Sequence, residues 1–241
     1  MPYGPKEAQG AVGGSTSIAS TAVIARGVWG WRWGLLVVVP LLVLTALTAA
    51  VVVQWAPLLA ADRSIEDVVG AARPPDTGGW VVMTWLGTGP RLTLVGAAGA
   101  VVLAVRRQWA TCWALLAAMG AVFACWAILR VTVARPRPDG GLVPAASDLG
   151  YPSGHATNSA AAALLTVLVL GPALHRRGRI ALAVGAAAFA LIVGLSRIVL
   201  GVHHPSDVLA GWALALVVVG TVYPAVRALV ERRTAPHERE P

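Results

Sequence analysis

"RVTVARPRPDG", residues 130 to 140, breaks with the character of the chain around it. Apolar sequence runs up to Ile128 and Leu129, and three arginines and two prolines then arrive within nine residues. Lys and Arg flank transmembrane helices on the cytoplasmic side, so a topology signal is the simplest reading of such a cluster. That reading stands or falls on which side of the membrane the stretch lies.

The 241 residues are 57% hydrophobic and 12% charged, with a mean hydropathy of +0.71. A soluble domain has roughly 45–50% apolar and about 25% charged residues. The excess of Ala, Val and Leu comes in long runs, which predicts an integral membrane protein. A spanning helix needs about 20 mostly apolar residues. The sequence offers 34–53, 90–105, 109–129, 157–174, 179–196 and 207–226, the second reaching back toward Trp80 across a break at Gly87–Pro90. The expected fold is all-α, a polytopic bundle of about six transmembrane helices over 34–226, with the core motifs in 130–207. Residues 1–33, which begin Gly/Ser/Ala-rich, read as a disordered cytoplasmic tail, and 227–241 as a second cytoplasmic tail. Residues 54–79 read as a loop, from layout alone. Cys112 and Cys125 share one apolar segment 13 residues apart, about 20 Å along a helix, so they do not pair.

Arginine sets the orientation. Arg26 and Arg32 precede the first span, and Arg106 and Arg107 separate the second from the third. "HRRGR", from His175 to Arg179, joins the fourth and fifth, and Arg227, Arg232 and Arg233 follow the sixth. These alternate ends are the arginine-rich ones, so both termini are expected in the cytoplasm of a multi-pass plasma-membrane protein. Residues 130–156 then lie outside. There Arg130, Arg135 and Arg137 are on the wrong side to be topology signals, and another function must hold them.

Two further stretches share the outer face. "GYPSGHATNSA" (150–160) runs into the fourth span, with Pro152, Ser153 and Gly154 at a helix start. Unpaired N–H groups and the helix dipole make such a start a ready anion site. Ser153 alone reads equally well as an ordinary helix cap. His155 adds an ionisable group in the first turn, where a cation is disfavoured. "SRIVLGVHHPSDVLAGW" (196–212) bridges the fifth and sixth spans. Pro205 with Asp207 two residues on is a normal helix start. It leaves His203 within reach of that carboxylate, and a His–Asp pair fixes an imidazole tautomer. Such pairs also occur as purely structural contacts.

The net charge of +8 fits arginines at membrane boundaries and an anionic substrate. Nucleic acid is excluded as a partner, because no basic stripe with interleaved aromatics lies outside the membrane segments. No H-E-x-x-H helix or Cys–His cluster offers a metal site, and no cofactor is expected. The outer-face arginines would repel a dication, whereas bidentate guanidinium suits phosphate oxygens.

Together these residues resemble the signature of the type 2 phosphatidic acid phosphatase / vanadium haloperoxidase superfamily, K-x6-R-P, P-S-G-H and S-R-x5-H-x3-D. The chain has Arg130-x6-Arg137-Pro138, then Pro152-Ser153-Gly154-His155, then Ser196-Arg197-x5-His203-x3-Asp207. The resemblance covers roughly 80–226. Arg130 stands where the family has Lys, and Arg135–Pro136 is a second Arg-Pro, but only Arg137 satisfies the x6 spacing.

The resemblance implies a metal-independent hydrolase of lipid phosphates or diphosphates, with its site at the extracytoplasmic ends of spans three to six. In it His203 is the nucleophile that forms a phosphohistidine, His155 the general acid, and Asp207 the residue that orients His203. Arg130, Arg137, Arg197, Ser153 and Gly154 bind the phosphate. His204 falls outside the signature, at the mouth of the site. Polyprenyl diphosphate, phosphatidic acid, phosphatidylglycerol phosphate and lipid-linked sugar phosphate all stay open as substrates. Membrane lipids are the other expected partners, and oligomeric state is left open. A lipid phosphotransferase would use the same residues. Haloperoxidases of the superfamily are typically soluble, and an anion or lipid transporter would carry its ionisable residues near the bilayer midplane.

The expected orientation is checked by labelling. In a background lacking Cys112 and Cys125, Ser147→Cys should react with a membrane-impermeant thiol reagent from outside intact cells. Reaction only after permeabilisation would invert the topology.

Overall fold

The computed structural model describes residues 16–144 and 147–234. The chain divides into two compact units, Met1–Leu35 and Leu36–Pro241. In the first, the described residues are helical from Thr16 onward, in α1 (Thr16–Val52). The tail expected over 1–33 therefore lies outside the described residues up to residue 15, and 16–33 are helix.

The second unit is all helical, and no strand occurs among the described residues. After α1 come α2 (Ala56–Ala71), α3 (Gly78–Leu86), α4 (Gly89–Val105) and α5 (Trp109–Val133). α6 (Gly154–Leu170), a 3-10 turn at Gly171–Ala173, α7 (Arg176–Val199) and α8 (Pro205–Thr234) complete it. Five helical segments are long and apolar enough to cross a membrane, starting with Gly34–Val52, and the α3–α4 pair makes a sixth. That pair bends by 42° at its break, where Gly87 ends one helix and Pro90 sits in the first turn of the next.

Several helices outrun their apolar runs. α5 continues to Val133 and carries Arg130 in its last turn. α6 starts at Gly154, so His155 lies in its first turn, and α7 extends to Val199 with Arg197 in its last. Hydropathy falls off before the helix does because end residues can send their polar groups out of the hydrocarbon. By the same logic α8 takes in residues 227–234, read from sequence as tail, while 235–241 lie outside the described residues.

The loop expected over 54–79 is instead mostly helical. α2 opens with Pro57 in its first turn and buries Asp62. Its carboxylate gave no apolar pattern to read, because its partners lie on α8 and in the loop after α5.

α5 packs against α8, and α6 packs against both α7 and α8. Small residues line these contacts, among them the buried Ala114, Ala118, Ala210, Ala213 and Ala215, as close helix approach in a membrane requires. Gly211 is the tightest point that bears on function. A β-carbon there would lie 2.8 Å from the Ser153 carbonyl oxygen and 3.0 Å from Thr157 Oγ1. Its absence lets the start of α6 rest directly on α8.

Gly211→Val is expected to force these elements apart and cost about 1–3 kcal/mol, the usual scale of overpacking. Gly185→Ala, where nothing lies within 4 Å of the added carbon, should not. Thermal midpoints of the two variants in detergent check this; equal midpoints would refute the packing account.

Candidate functional site

Four segments meet at one end of the bundle: the last turn of α5, the 134–153 loop with the start of α6, the last turn of α7, and the 200–204 loop with the first turn of α8. Ala134 ends α5 in the left-handed region, with φ of 48°. The chain then runs back on itself, held by Arg137 N–H to Asp148 O at 3.0 Å and Gly150 N–H to Arg135 O at 2.7 Å. This fold-back delivers Arg135 and Arg137 to the 200–207 region.

His203 is buried, at 1% exposure. Its Nε2 lies 2.8 Å from Arg137 Nη1, and its Nδ1 lies 3.5 Å from Asp207 Oδ2. A guanidinium only donates, so Nε2 must be the acceptor, and the ring proton sits on Nδ1, toward the carboxylate. Burial pushes the His203 imidazole down to about 4; contact with Asp207 opposes this, and the Arg137 charge adds to it. Burial likewise lowers Arg137 from the ordinary arginine value, reinforced by the nearby Arg130. Arg137 is fixed by two carbonyls, donating from Nε to Ser147 O at 2.8 Å and from Nη1 to Val202 O at 2.7 Å.

Asp207, with 0% exposure, is held from several sides. Its Oδ1 accepts from Arg135 Nη1 at 2.8 Å and its Oδ2 from the His204 backbone N–H at 3.0 Å. Arg135 Nη2 donates to Asp62 Oδ2 at 2.8 Å. Asp62 in turn accepts from the Ser206 N–H at 2.9 Å and from the Ser206 hydroxyl at 2.6 Å. A carboxylate on α2 thereby caps the start of α8, as a side chain at that position usually does from within its own helix.

The remaining sequence candidates surround His203. Ser153 is the residue before α6, and its Oγ is buried without a hydrogen-bond partner among the described residues, as is Arg197 Nε. Gly154 backs onto Trp126, whose Nε1 donates to Pro152 O at 3.1 Å; a β-carbon on Gly154 would approach the Trp126 ring to 3.1 Å. Arg130 stacks over Trp126 with 5.0 Å from guanidinium carbon to ring centre, and bonds the Ser147 hydroxyl. Arg197 donates to Thr84 Oγ1.

A cavity of about 1320 Å³ opens here. Arg130, Arg137, Arg197, Gly154, His155 and His203 line its head. Leu115, Met119, Val122, Leu165 and Val169 line its body between α4, α5 and α6. Guanidinium groups at one end and hydrocarbon along the other give the cavity an amphiphilic character.

Of the eight residues to which the resemblance gives a role, Arg130, Arg137, Gly154, His155, Arg197 and His203 line the cavity, and Ser153 and Asp207 lie behind its lining at the same end of the bundle. His204 does more than border the site: its Nδ1 lies 2.6 Å from Glu66 Oε1 on α2. Sequence reading missed Asp62, Ser206, Thr84 and Trp126. Arg135 was visible, as the second Arg-Pro, but its partner lies 73 residues away. Among the described residues no group of three or more His, Cys, Asp or Glu could hold a metal ion.

Comparison with known proteins bears on this geometry. The family model described as PAP2 superfamily matches residues 111–231, half of the chain. A decaprenylphosphoryl-5-phosphoribose phosphatase of Mycobacterium tuberculosis (strain ATCC 25618 / H37Rv) is 37% identical over 119 residues, 47% of this chain and 58% of that protein. Phosphatidylglycerophosphatase B of Bacillus subtilis (strain 168) is 34% identical over 92 residues, 37% of this chain and 45% of that protein. The chain thus spans about half the length of the curated relatives it matches. Among solved structures, the transmembrane PAP2 type phosphatidylglycerolphosphate phosphatase from Bacillus subtilis superposes with a TM-score of 0.65 at 26% identity, over 85% of this chain and 100% of that one. Aquifex aeolicus LpxE superposes with a TM-score of 0.54 at 20% identity, over 71% of this chain and 96% of that one, a likeness of fold.

The His203 environment makes a prediction that needs no substrate. Its folded value lies below that of an exposed imidazole, so between about pH 6.5 and 4 the unfolded chain takes up a proton that the folded chain refuses. This contribution to stability is full above that window and is lost as pH falls through it. Imidazole ¹⁵N NMR should find His203 neutral, with its proton on Nδ1, at pH 5.5. A half-protonated ring at pH 6.5 would refute the assignment.

Proposed function

The chain belongs to the PAP2 superfamily, and from that premise we propose that it is a lipid phosphate phosphatase acting through His203. The observation that carries this reading is the position of His203 Nε2, an unprotonated nitrogen 2.8 Å from Arg137 at the head of an arginine-lined cavity with an apolar body. The phosphatase names of the relatives support the reaction class.

Substrate phosphate binds among Arg130, Arg137 and Arg197, with the Ser153 hydroxyl and the Gly154 N–H completing the set. Arg137 then shares its donors with the phosphate and frees the Nε2 lone pair. That lone pair forms a P–N bond while the P–O bond to the lipid breaks, and protonated His155 gives its proton to the leaving oxygen. Asp207 steadies the ring, whose Nδ1–H becomes more acidic as phosphorus is bound. The arginines meet charge as it redistributes over the equatorial oxygens. In the second half His155 takes a proton from water, the water oxygen bonds phosphorus, and the P–N electrons return to Nε2. The lipid tail lies between α4, α5 and α6. The reaction faces the outside of the plasma membrane, following the arginine distribution.

Phosphate release from a panel of lipid phosphates should proceed in EDTA; activity lost in EDTA and restored by magnesium or zinc would overturn the mechanism. His203→Ala should abolish turnover and any acid-quenched phosphoenzyme. His155→Ala should lose roughly 10²–10⁴-fold on an alkyl ester and far less on p-nitrophenyl phosphate, whose leaving group needs no proton. Asp207→Asn should fall between. A phosphoryl adduct on His155 would reverse the roles.

A further inference from the structure

Between the arginine head and the hydrocarbon body, the cavity carries polar side chains that the mechanism above does not use. Asn158 lies three residues after His155 on α6, so the two side chains are neighbours on one helix face, with Asn158 about one turn farther along the helix. Ala161, Leu165 and Val169 continue the cavity wall beyond it. Across the cavity stands α4. A β-carbon at Gly89 would come within 3.0 Å of Asn158 Nδ2, so the amide reaches the break in the second span. Thr93, one turn farther along α4, also lines the cavity.

Most other polar groups along this wall are engaged. Thr84 receives Arg197, Thr88 receives Arg91 at 2.6 Å, and Thr166 donates to the Ala162 carbonyl at 2.7 Å. Among the described residues the side chains of Asn158 and Thr93 have no hydrogen-bond partner. An amide offers two donors and an acceptor, and a hydrocarbon tail satisfies none of them. Leaving them unpaired beside a bound chain is unfavourable.

We propose that Asn158 and Thr93 form a subsite for oxygen atoms adjacent to the phosphate, so the substrate is a phosphomonoester of a glycerolipid or lipid-linked sugar rather than a prenyl chain joined directly to phosphate. This rests on the phosphatase reading above and narrows it. The hydroxyl or ester oxygen beside the scissile bond meets Asn158, and the hydrocarbon begins only below it. The preference is specific because a site built to pair an oxygen discriminates against a ligand lacking one.

The test compares kcat/KM for phosphatidic acid and for farnesyl phosphate in detergent, by phosphate release. Wild type should favour phosphatidic acid, and Asn158→Leu should lower the ratio of the two constants about tenfold, the scale of one lost hydrogen bond. Thr93→Val should lower it by a smaller factor, and Asn158→Ser, which keeps a hydroxyl, should restore part of it. Poor folding lowers both constants together and leaves the ratio unmoved, so the ratio isolates the subsite. A wild-type preference for farnesyl phosphate, or a ratio unchanged in Asn158→Leu and Asn158→Ser, would overturn the subsite while leaving the phosphatase intact. Wild type inactive on both lipids and on p-nitrophenyl phosphate would overturn both readings.

Discussion

The carboxylate of Asp207 is the constraint around which the site is organised. It is wholly buried, and an ionised carboxylate out of water is tolerated only when paired and hydrogen-bonded. Arg135 supplies the pairing, and Asp62 balances the second side of the same guanidinium. The backbone N–H of His204 and the imidazole of His203 complete the set. Removing one member of such a network leaves a buried charge uncompensated, at a cost of about 3–5 kcal/mol. The network therefore fixes three otherwise separate pieces of chain: α2, the loop after α5 and the start of α8.

The three arginines of residues 130–137 divide their work by what surrounds each. Arg135 is spent on carboxylates and is buried. Arg137 has carbonyl partners that hold it without neutralising it, and its remaining capacity faces His203. Arg130 lies across an indole face and a hydroxyl, contacts that orient a cation while leaving its charge available. One anchoring cation thus sits beside two available ones, which gives the cavity head its excess positive charge. Burial, reinforced by the Arg137 charge, keeps the His203 ring neutral, so the lone pair is present before any ligand arrives.

Much of this was legible in the sequence. The six-span layout followed from apolar length, and even the break at Gly87–Pro90 was visible because glycine and proline punctuate a helix wherever they occur. Arg137, His155, Arg197, His203 and Asp207 could be picked out because their spacing is local and their residue types are rare in an apolar chain. Asp62 could not. It lies in a segment of ordinary amphipathic composition, and its meaning depends on Ser206, which is 144 residues away. Trp126 and Thr84 were hidden for a related reason: an indole or a threonine inside a spanning helix is unremarkable until its neighbour is known. The ends of α5, α7 and α8 escaped because hydropathy marks where lipid stops, whereas a helix continues until its backbone bonds find other partners.

The family match begins at residue 111, yet Asp62 and Thr84 lie before it. A protein trimmed to the matched region would keep all the motif residues and still lack the acid that Arg135 Nη2 grips. The freed guanidinium could then turn wholly to Asp207, shifting the carboxylate that faces His203, and the first turn of α8 would lose its cap. The smallest stretch of chain able to hold this geometry is thus larger than the stretch that defines the kinship. Homologues that differ in the connection between their first two spans need another acid, or another way of restraining that arginine, to reach the same arrangement.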